Sequence, residues 1–304
     1  MKVLFTGPLP DWAKNGTEAL GHTVESVAAD TYVDEKAFCK GIQGIDVYVS
    51  GGMEKCTQAV IASADKLKAI IFLGVDFKNY IDEAAAINRG IPIFNTPGAN
   101  ARAVAELTAL LMLAAARKAA PMLVSAANKI SKNETGTELH GKTLGILGAG
   151  HIARMVANIA AGFGMKVLYN NHTGPKPEMP AVHEGLDQVL AQSDFLSLHI
   201  PKDAGEVLSA ASLAKLKRGA ILINTSPARL VNADALYAAL TNGQLRAAAF
   251  DSFYTEGSGA WSCPEARLFS LGPDKFFITP HAGWRTTEAD DNMFKIALAH
   301  LKSL

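Results

Sequence analysis

The strongest constraint on the fold is the stretch from residue 142 to 173, which reads KTLGILGAGHIARMVANIAAGFGMKVLYNNHT. An apolar strand runs into Gly148-Ala149-Gly150, an alanine-rich helix follows, and a second strand comes after it. That order is a βαβ unit of the kind that receives a dinucleotide pyrophosphate. Gly148 allows the tight turn, and Gly150, which has no Cβ, lets phosphates approach the N–H groups at the helix start. The stretch predicts a nucleotide-binding domain, although a purely structural turn has the same short pattern.

The balance of charge and the number of cysteines narrow the class of protein. Lys plus Arg and Asp plus Glu both number 29 in 304 residues, so the chain has no overall attraction to nucleic acid or anionic lipid. The three cysteines are too few and too scattered for a disulfide framework or a zinc site. The N-terminal residues predict a strand rather than a signal peptide, and the longest apolar run, 107–116, is too short to cross a bilayer. We therefore expect a cytoplasmic protein with a small-molecule partner, without a metal site and without a nucleic-acid or membrane partner.

Strand-like and helix-like segments alternate along the first hundred residues. Short β-branched or aromatic runs are bounded by Gly, Pro or polar residues, and segments with helical spacing lie between them. Such alternation predicts a parallel sheet covered by helices on both faces. The predicted strands are 2–6, 23–27, 46–50, 69–72 and 91–94, and the predicted helices are 32–40, 56–64 and 80–88.

A long helix rich in Ala and Leu, predicted for 101–119, connects this region to the βαβ unit. Later strands are predicted at 195–199, 220–224, 247–250 and 276–279, with a helix at 233–240 and a final amphipathic helix at 286–304 that returns to the first domain. The predicted fold class is α/β, with two doubly wound parallel-sheet domains. We expect a flavodoxin-like domain from 1–100 and 281–304, and a Rossmann nucleotide-binding domain from 101–280.

Ligands of parallel α/β sheets bind outside the carboxyl ends of the strands, so titratable residues directly after predicted strands are candidates for chemistry. Four places qualify: 199–201, 224–229, Asp251 with Glu256, and His281. Hydride transfer to a carbonyl needs an acid for the developing alkoxide, and His is suited to that task near neutral pH. A carboxylate beside the imidazole would hold its tautomer and raise its pKa. His281 and Glu256 form such a pair if the strand ends adjoin; the alternative is a hydrogen-bonded loop histidine and a solvated carboxylate.

Five segments, in this order and at this spacing, resemble one family. They read GTELHGKTLGILGAGHIA, SDFLSLHIP, LKRGAILINTS, AAAFDSFYTE and FITPHAGWRTTEA, and they are similar to the nucleotide-binding half of the D-isomer-specific 2-hydroxyacid dehydrogenases. LGVDFKNYID and IFNTPGANARAVAELT resemble the hinge side of that family, so the similarity covers roughly residues 65 to 295. The resemblance implies that His281 is the general acid/base and that Glu256 supports it. It also implies that the first hundred residues and the last helix form a substrate domain, and that the protein is a homodimer with the 101–140 region in the contact.

Two departures from the family pattern concern the grip on the substrate carboxylate. Pro227 stands where the resemblance implies the substrate-binding arginine, and proline cannot form a bidentate clamp. Arg229 either reaches the same pocket from a rearranged turn or is a surface arginine. The usual A-G-x-G-x-D is replaced by the more apolar segment 71–76. We therefore expect a substrate that is unusual in shape or carries its anionic group elsewhere. The candidates for replacement donors are Gly51-Gly52-Met53, Lys55 and Arg102.

The end of the second strand of the βαβ unit bears on the choice of nicotinamide nucleotide. A site for NAD carries Asp or Glu there for the ribose hydroxyls, whereas this chain has Asn171. His172, Thr173 and Lys176 follow, and an imidazole, a hydroxyl and an ammonium group are suited to a 2′-phosphate. We expect NAD(P) with a preference for NADP, although a neutral Asn also serves NAD.

The sequence thus predicts an NAD(P)-dependent oxidoreductase that interconverts a small 2-oxo acid and its D-2-hydroxy acid. The alternative, favoured by Pro227, is a nucleotide-binding protein of the same fold that has lost catalysis and acts as a sensor or interaction partner. The catalytic candidates are His281, Glu256 and Arg229, and the cofactor-binding candidates are Gly148, Gly150, His151, Ile152, Asn171, His172, Thr173, Ile200, Pro201, Thr225, Ser226 and Asp251.

Overall fold

The computed structural model describes residues 1–52, 54–131, 133–255 and 263–304. The chain divides into two compact units. Unit 1 comprises Met1–Asn100 and Thr286–Leu304, and unit 2 comprises Ala101–Arg285.

The described residues of unit 1 form a five-stranded parallel sheet. Its strands are β1 (Lys2–Thr6), β2 (Thr23–Val27), β3 (Val47–Ser50), β4 (Ala69–Phe72) and β5 (Ile93–Phe94). The order across the sheet is β2-β1-β3-β4-β5. This is the order of a flavodoxin-like doubly wound sheet, so the predicted fold class of the first domain is confirmed.

Four helices alternate with these strands: α1 (Asp11–Ala19), α2 (Glu35–Gly41), α3 (Gln58–Ser63) and α4 (Glu83–Asn88). The last three begin two or three residues later than predicted, because a side chain caps each N-terminus. Asp34, Thr57 and Asp82 each accept a hydrogen bond from the backbone N–H three residues further on. Helix α1 has no counterpart in the sequence-based prediction, because it buries only Ala13 and Thr17 and so lacks a clear apolar stripe.

The described residues of unit 2 form a seven-stranded parallel sheet. Its strands are β6 (Thr143–Leu147), β7 (Lys166–Asn170), β8 (Val182–His183), β9 (Phe195–Leu198), β10 (Ala220–Asn224), β11 (Leu245–Phe250) and β12 (Phe276–Ile278). The order across the sheet is β12-β11-β10-β9-β6-β7-β8. The direction of the strand order reverses between β6 and β9, which is the switch point of a Rossmann sheet. The predicted Rossmann fold is therefore confirmed.

Unit 2 also contains the helices α5 (Ala101–Arg117), α6 (Ala119–Ala127), α7 (His151–Gly162), α8 (Leu186–Gln192), α9 (Ala210–Ala214) and α10 (Ala233–Thr241). The single long helix predicted for 101–119 is wrong at its C-terminal end. Lys118 adopts a left-handed backbone with φ of 53°, and its ammonium group pairs with Glu134 at 3.0 Å. The chain therefore turns by 78° at Lys118 and continues as α6.

Helices cover both faces of the unit 2 sheet. On one face, Leu111 and Met112 of α5 and Val156 of α7 pack into the same buried cluster as Ile146 and Ile223 of the strands. On the other face, the cluster combines strand residues such as Leu222 with side chains of α8, α9 and α10. Within the described residues, no single helix is long and apolar enough to span a membrane, although α5 and α6 together meet the length and composition criteria across their bend.

The final helix, α11 (Thr287–Ser303), belongs to unit 1 and begins after the N-cap Thr286. Its side chains Phe294, Ala297 and Leu301 join the buried cluster on one face of the unit 1 sheet. The boundary between the units lies after Arg285, five residues later than the expected boundary after residue 280. The reason is that Thr279, Ala282 and Gly283 donate hydrogen bonds to Asp251, directly after β11, and so keep this segment within unit 2.

Candidate functional site

The turn between β6 and α7 depends on the absence of a side chain at Gly148. Gly148 has φ of 112°, and a Cβ at this position would clash with the carbonyl oxygen of His199. Gly150 is the N-cap of α7, and a Cβ at this position would meet no described protein atom within 4 Å. The described atoms therefore leave room beside Gly150 and the first amides of α7, where a pyrophosphate would have to lie.

The first turn of α7 carries an imidazole and a guanidinium group. His151 is exposed, and the Nη2 atom of Arg154 donates to its Nδ1 atom at 2.8 Å. Ala153 is fully buried, as expected for a small residue at the helix–sheet contact. Ile152 is partly buried and packs on the cluster that covers this face of the sheet. Both polar side chains thus lie at the end of the helix that favours anions.

The loop after β7 holds the residues predicted to choose between NAD and NADP. The Nδ2 atom of Asn171 donates to the Oγ1 atom of Thr173 at 2.6 Å and to the carbonyl oxygen of Gly174 at 3.2 Å. The Gly174 amide donates back to the Asn171 carbonyl oxygen at 3.0 Å. His172 and Thr173 are exposed. This loop is therefore a closed polar turn without a carboxylate at residue 171.

Tyr169 fixes the far end of the same loop. Its ring is buried in β7, and its phenol oxygen accepts the amide hydrogen of Lys176 at 2.7 Å. The phenol also lies 3.3 Å from the carbonyl oxygen of Lys176, to which it donates. The backbone of Lys176 is thereby clamped on both sides, and the start of its side chain is set by a residue of the sheet.

Ser226 ties the ends of β9 and β10 together. Its Oγ atom accepts the amide hydrogen of Ile200 at 3.0 Å and donates to the carbonyl oxygen of Leu198 at 3.0 Å. Next to it, the hydroxyl groups of Thr225 and Thr108 of α5 lie 3.1 Å apart. The segment from His199 to Pro201 is therefore held at the same sheet edge as the glycine turn, because the His199 amide also donates to the carbonyl oxygen of Leu147.

Pro227 begins a single 3₁₀ turn, Ala228–Leu230, that follows β10. The carbonyl oxygen of Pro227 accepts hydrogen bonds from the Asn224 side chain at 3.3 Å and from the Leu230 amide at 3.2 Å. Ala228 and Leu230 are buried, whereas Arg229 between them is exposed. The turn thus directs its one charged side chain away from the hydrophobic core.

Asp251, directly after β11, organises the segment that contains His281. Its Oδ1 atom accepts hydrogen bonds from the Thr279 hydroxyl at 2.6 Å and from the Ala282 amide at 2.9 Å. Its Oδ2 atom accepts one from the Gly283 amide at 2.8 Å. The side chain is 4% exposed, so this carboxylate is committed to protein donors. Asp251, a predicted cofactor-binding residue, therefore also shapes the segment that contains His281.

His281 is an exposed residue with φ of 54°, a left-handed conformation that is rare outside glycine. Its own amide donates to the Thr279 carbonyl oxygen at 2.9 Å. The hydrogen bonds that Asp251 accepts from Thr279 and from Ala282 flank His281 on both sides and so impose this conformation. Unusual backbone conformations that surroundings enforce in this way occur preferentially at functional sites.

His199 has a buried imidazole at the same sheet edge. Its Nε2 atom lies 2.9 Å from the Ser197 hydroxyl. Its Nδ1 atom is buried and has no hydrogen-bond partner in the part of the chain that the structure describes, although the residue as a whole is partly exposed. Burial lowers the pKa of the His199 imidazole from 6.5 to about 3. The imidazole of His199 is therefore neutral at physiological pH.

The carboxyl edge of the unit 1 sheet contains a buried carboxylate. Glu54 is 1% exposed, and its Oε1 atom accepts hydrogen bonds from the hydroxyl groups of Thr6 and Tyr48. Burial, followed by the nearby Glu54 carboxylate, raises the pKa of the Tyr48 phenol well above 10, so that the phenol remains a donor. The Oε2 atom of Glu54 is buried and has no hydrogen-bond partner among the described residues. Of the predicted replacement donors beside it, Gly51, Gly52 and Lys55 are described and Met53 lies outside the described residues.

The structure brings the candidates of unit 2 to one edge of its sheet. All twelve predicted cofactor-binding residues follow β6, β7, β9, β10 or β11 or begin α7, and Arg229 and His281 lie at the same edge after β10 and β12. Glu256, the predicted partner of His281, lies outside the described residues.

Several contributing residues have no place in the sequence-based prediction. Thr279 and Gly283 complete the Asp251 network, Tyr169 clamps the loop after β7, and Glu54 cross-links two segments of unit 1. The sequence does indicate a role for Thr279 and Gly283, because both lie in the segment TPHAG after β12, and a glycine so close to a candidate histidine indicates tight backbone packing. The sequence gives no such indication for Tyr169, because it binds backbone groups of Lys176, which every residue has. It gives none for Glu54, because the order of strands in the sheet decides which hydroxyl groups lie next to it.

Comparison with known proteins gives consistent matches. Residues 109–283 match the model of the D-isomer specific 2-hydroxyacid dehydrogenase NAD binding domain. The chain is 36% identical to the hydroxypyruvate reductase of Thermotoga maritima over 91% of this chain and 90% of that protein. It is 33% identical to the glyoxylate reductase of Thermococcus litoralis over 99% and 92% of the two chains. A solved structure from Thermus thermophilus is 32% identical, with a TM-score of 0.86 over 99% of this chain and 96% of that one.

Proposed function

Because the chain belongs to the D-isomer specific 2-hydroxyacid dehydrogenase family, we propose that it interconverts a small 2-oxo acid and its D-2-hydroxy acid with a nicotinamide nucleotide. The names of its relatives, hydroxypyruvate reductase and glyoxylate reductase, support 2-oxo acids with two or three carbon atoms as the first substrates to test. The observation that carries the proposal is the Asp251 network, which fixes the backbone on both sides of His281.

The residues after β6 fit a nicotinamide nucleotide. A Cβ at Gly148 has no room, whereas the space at Gly150 is open beside the first amides of α7. The pyrophosphate would be held by those amides, and the ends of β9 and β10 would line the groove with Ile200, Pro201, Thr225 and Ser226, largely through backbone groups. When bound, the nucleotide supplies or accepts the hydride.

His281 is the proposed general acid/base. During reduction its imidazolium group donates a proton to the carbonyl oxygen of the 2-oxo acid, and during oxidation its neutral imidazole accepts the proton of the hydroxyl group. Asp251 acts through the backbone, because its carboxylate is occupied by Thr279, Ala282 and Gly283. Glu256 is proposed to hold the imidazole tautomer and to favour its protonated form, as the family resemblance implies.

The substrate anion is the point at which this chain is expected to differ from the usual pattern. Pro227 supplies no cation, and we propose that the exposed Arg229, two residues further along the same turn, contacts the anionic group of the substrate. A catalytically impaired nucleotide-binding protein of the same fold is the second candidate function, and Pro227 is the observation that favours it.

NADP is the proposed preferred cofactor. The closed turn after β7 presents Asn171 in place of a carboxylate, so the structure offers no negative side chain at that position to repel a 2′-phosphate. His172 and Thr173 are exposed on this turn, and Lys176 is anchored next to it by Tyr169. An imidazole, a hydroxyl and an ammonium group together suit a phosphate better than a pair of ribose hydroxyls.

A homodimer that uses the α5–α6 region is proposed from its exposed apolar side chains. Leu110, Leu123, Val124 and Ile130 are all more than half exposed, and an apolar depression on α6 is lined by Met122 and Leu123 among others. An exposed apolar cluster of this kind commonly marks a protein–protein contact. The thiols of Cys39, Cys56 and Cys263 are all free, which supports the proposal of a reducing, cytoplasmic location.

The experiment that tests the proposed function is a screen of glyoxylate, hydroxypyruvate, pyruvate and larger 2-oxo acids for loss of reduced-nicotinamide absorbance. We expect turnover by the wild type and a decrease in kcat/KM of about 10²- to 10⁴-fold for His281→Ala. The affinity of His281→Ala for the cofactor, measured by titration, should stay within about twofold of the wild-type value, since the proton donor is not part of the nucleotide-binding site. His140→Ala, at an exposed histidine outside the proposed site, is a matched control for kcat. If the protein binds the nucleotide but turns over no 2-oxo acid, the second candidate function, a catalytically impaired nucleotide-binding protein, is favoured.

A further inference from the structure

Thr108 is a buried residue in the N-terminal half of α5 whose hydroxyl group reaches the sheet of unit 2. Its side chain is 0% exposed, and its Oγ1 atom donates to the carbonyl oxygen of Val104, one turn earlier in the helix, at 2.8 Å. The same oxygen lies 3.1 Å from the Oγ1 atom of Thr225, which directly follows β10. Thr108 therefore links a helix to the carboxyl edge of the sheet.

The direction of the hydrogen bond between the two hydroxyl groups follows from their protons. A threonine hydroxyl has one proton to donate and two lone pairs that accept. The proton of Thr108 is engaged by the carbonyl oxygen of Val104, which can only accept. The Thr225 hydroxyl must therefore donate its own proton to Thr108, and only its lone pairs remain for other partners. Thr225 is thus held as an acceptor.

Consecutive residues of α5 connect Thr225 to the segment that contains His281. A Cβ at Gly283 would lie 3.3 Å from the Cδ2 atom of Leu107, the residue before Thr108. The Thr225 hydroxyl therefore lies on the same side of the sheet edge as the segment of the proposed general acid/base. Hydride and proton reach the same carbonyl group, so the nicotinamide end of the nucleotide belongs beside that acid, and the adenine end belongs after β7.

The carboxamide of nicotinamide presents a carbonyl oxygen that accepts and an amine that donates. Two neighbouring side chains at this edge are engaged by the protein. The Asp251 carboxylate accepts three hydrogen bonds, and the Ser226 hydroxyl binds the Ile200 amide and the Leu198 carbonyl oxygen. The Thr225 side chain is partly exposed and keeps its acceptor capacity. Its fixed polarity suits the amine of the carboxamide and not the carbonyl oxygen.

We propose that the Thr225 hydroxyl accepts a hydrogen bond from the carboxamide amine of the nicotinamide, and that Thr108 is the positioning residue that fixes this polarity. The inference rests on the proposed function, since it takes the nicotinamide ring to lie beside His281. It extends that function by assigning recognition of the amine to a pair of side chains. Thr108 does not touch the cofactor, and it acts by taking the one proton of Thr225.

The test compares the affinity for the oxidised cofactor with that for its 3-acetylpyridine analogue, in which a methyl group replaces the amine. Calorimetric titration with both nucleotides requires no substrate. We expect the wild type to bind the carboxamide about tenfold more tightly, because the analogue leaves the acceptor unpaired. In Thr108→Val, which keeps the shape of the side chain, the Thr225 hydroxyl can turn and donate to the acetyl oxygen. The preference should therefore fall to about twofold or less, as it should in Thr225→Val.

Two further variants separate the polarity of the hydroxyl group from packing. Thr108→Ser keeps a hydroxyl that can donate to Val104, and it should retain the wild-type preference within about twofold. Thr17→Val is the matched control. Thr17 is also 0% exposed and donates to the carbonyl oxygen of Ala13 at 2.9 Å, but it lies in α1 of unit 1. It should leave both affinities unchanged.

The ratio of the two affinities decides the inference. A preference that is lost in Thr108→Val and retained in Thr108→Ser supports it. A wild type that binds both nucleotides equally overturns it, and so does a Thr108→Val variant that weakens both to the same extent, since that result indicates a purely structural role. The proposed function fails separately: a wild type that shows the preference and its loss in Thr108→Val but reduces no 2-oxo acid supports the inference and contradicts the dehydrogenase activity.

Discussion

The Oδ2 atom of Asp251 accepts the amide hydrogen of Gly283 at 2.8 Å, and a Cβ at residue 283 would lie only 2.6 Å from the same oxygen. The hydrogen bond and the absence of a side chain are thus two aspects of one contact. Since the other oxygen of Asp251 holds Thr279 and Ala282, this contact decides where His281 lies.

Gly283→Ala should therefore lower kcat/KM by about 10- to 100-fold, because the methyl group must displace the carboxylate and so shift the segment around His281. Cofactor affinity should change less than about threefold. Steady-state kinetics on a 2-oxo acid that the wild type reduces checks this, with Gly185→Ala, at a glycine with φ of −60° and open space around the Cβ position, as a control for glycine replacement elsewhere in unit 2. Wild-type kinetics for Gly283→Ala would show that the segment tolerates the shift.

Pro227→Arg should raise kcat/KM on simple 2-oxo acids by about 10- to 100-fold, because a charge-assisted bidentate hydrogen bond to the substrate carboxylate is regained. Pro227 has φ of −54°, which arginine adopts without strain. Pro227→Ala serves as the control for loss of the proline ring. If Pro227→Arg gains nothing, Arg229 already performs this task, and Arg229→Ala should then raise KM.

Asn171→Asp should reverse the cofactor preference. A carboxylate at this position accepts the ribose hydroxyls of NADH and repels the 2′-phosphate of NADPH, so the ratio of the two dissociation constants should change by about 10- to 100-fold. Fluorescence titration with both reduced nucleotides measures that ratio. Asn242→Asp, which adds the same charge at another loop of unit 2, should not alter it. A wild type that prefers NADH strongly would contradict the proposed preference itself.

The buried imidazole of His199 should make the protein sensitive to mild acid. Its folded-state pKa, about 3, is below the unfolded value of 6.5, so its contribution to stability is complete above pH 6.5 and is lost as the pH falls towards 3. Between pH 6.5 and pH 5 this amounts to a loss of about 2 kcal/mol. Urea unfolding at both pH values should show this loss in the wild type and not in His199→Gln. The control is His172→Gln, at an exposed histidine, which should lose as much stability as the wild type. An equal loss of stability in His199→Gln would exclude the buried imidazole as the cause.

Leu123→Lys should convert the proposed dimer into a monomer. A lysine at the centre of an apolar contact must be desolvated on association, and the burial of a leucine is lost as well, so the dissociation constant should rise about a hundredfold or more. Light scattering after size-exclusion chromatography gives the molar mass directly. Ile87→Lys, at a similarly exposed apolar residue of unit 1, should remain dimeric. A monomeric wild type would contradict the proposal.

Sequence patterns predicted the two parallel sheets well because the strands carry dense apolar runs separated by Gly, Pro or polar residues. Helix boundaries were less accurate where a local interaction decides them, as at the caps Asp34, Thr57 and Asp82 and at the left-handed Lys118. The candidate residues after the strands were placed correctly at one edge of the unit 2 sheet, since this follows from the sheet order alone.

The role of Asp251 in holding the His281 segment could not be predicted from the sequence. The sequence indicated a carboxylate after β11, but a carboxylate at a sheet edge suits a ligand and a neighbouring backbone equally well. The decisive partners, Ala282 and Gly283, donate through backbone amides, which every sequence contains, and they come from a segment 31 and 32 residues away. Only the paired positions of β11 and β12 bring those amides to the carboxylate.

The return of α11 to unit 1 also affects the order in which the chain matures during synthesis. Unit 2 is one continuous segment that ends at Arg285, whereas the apolar face formed by Val3, Phe5 and Val49 is fully covered only after Phe294 and Leu301 have left the ribosome. Unit 2 can therefore complete its hydrophobic core before α11 has been synthesised and has packed on unit 1. This reverses the usual order of domain folding, in which the N-terminal domain folds first.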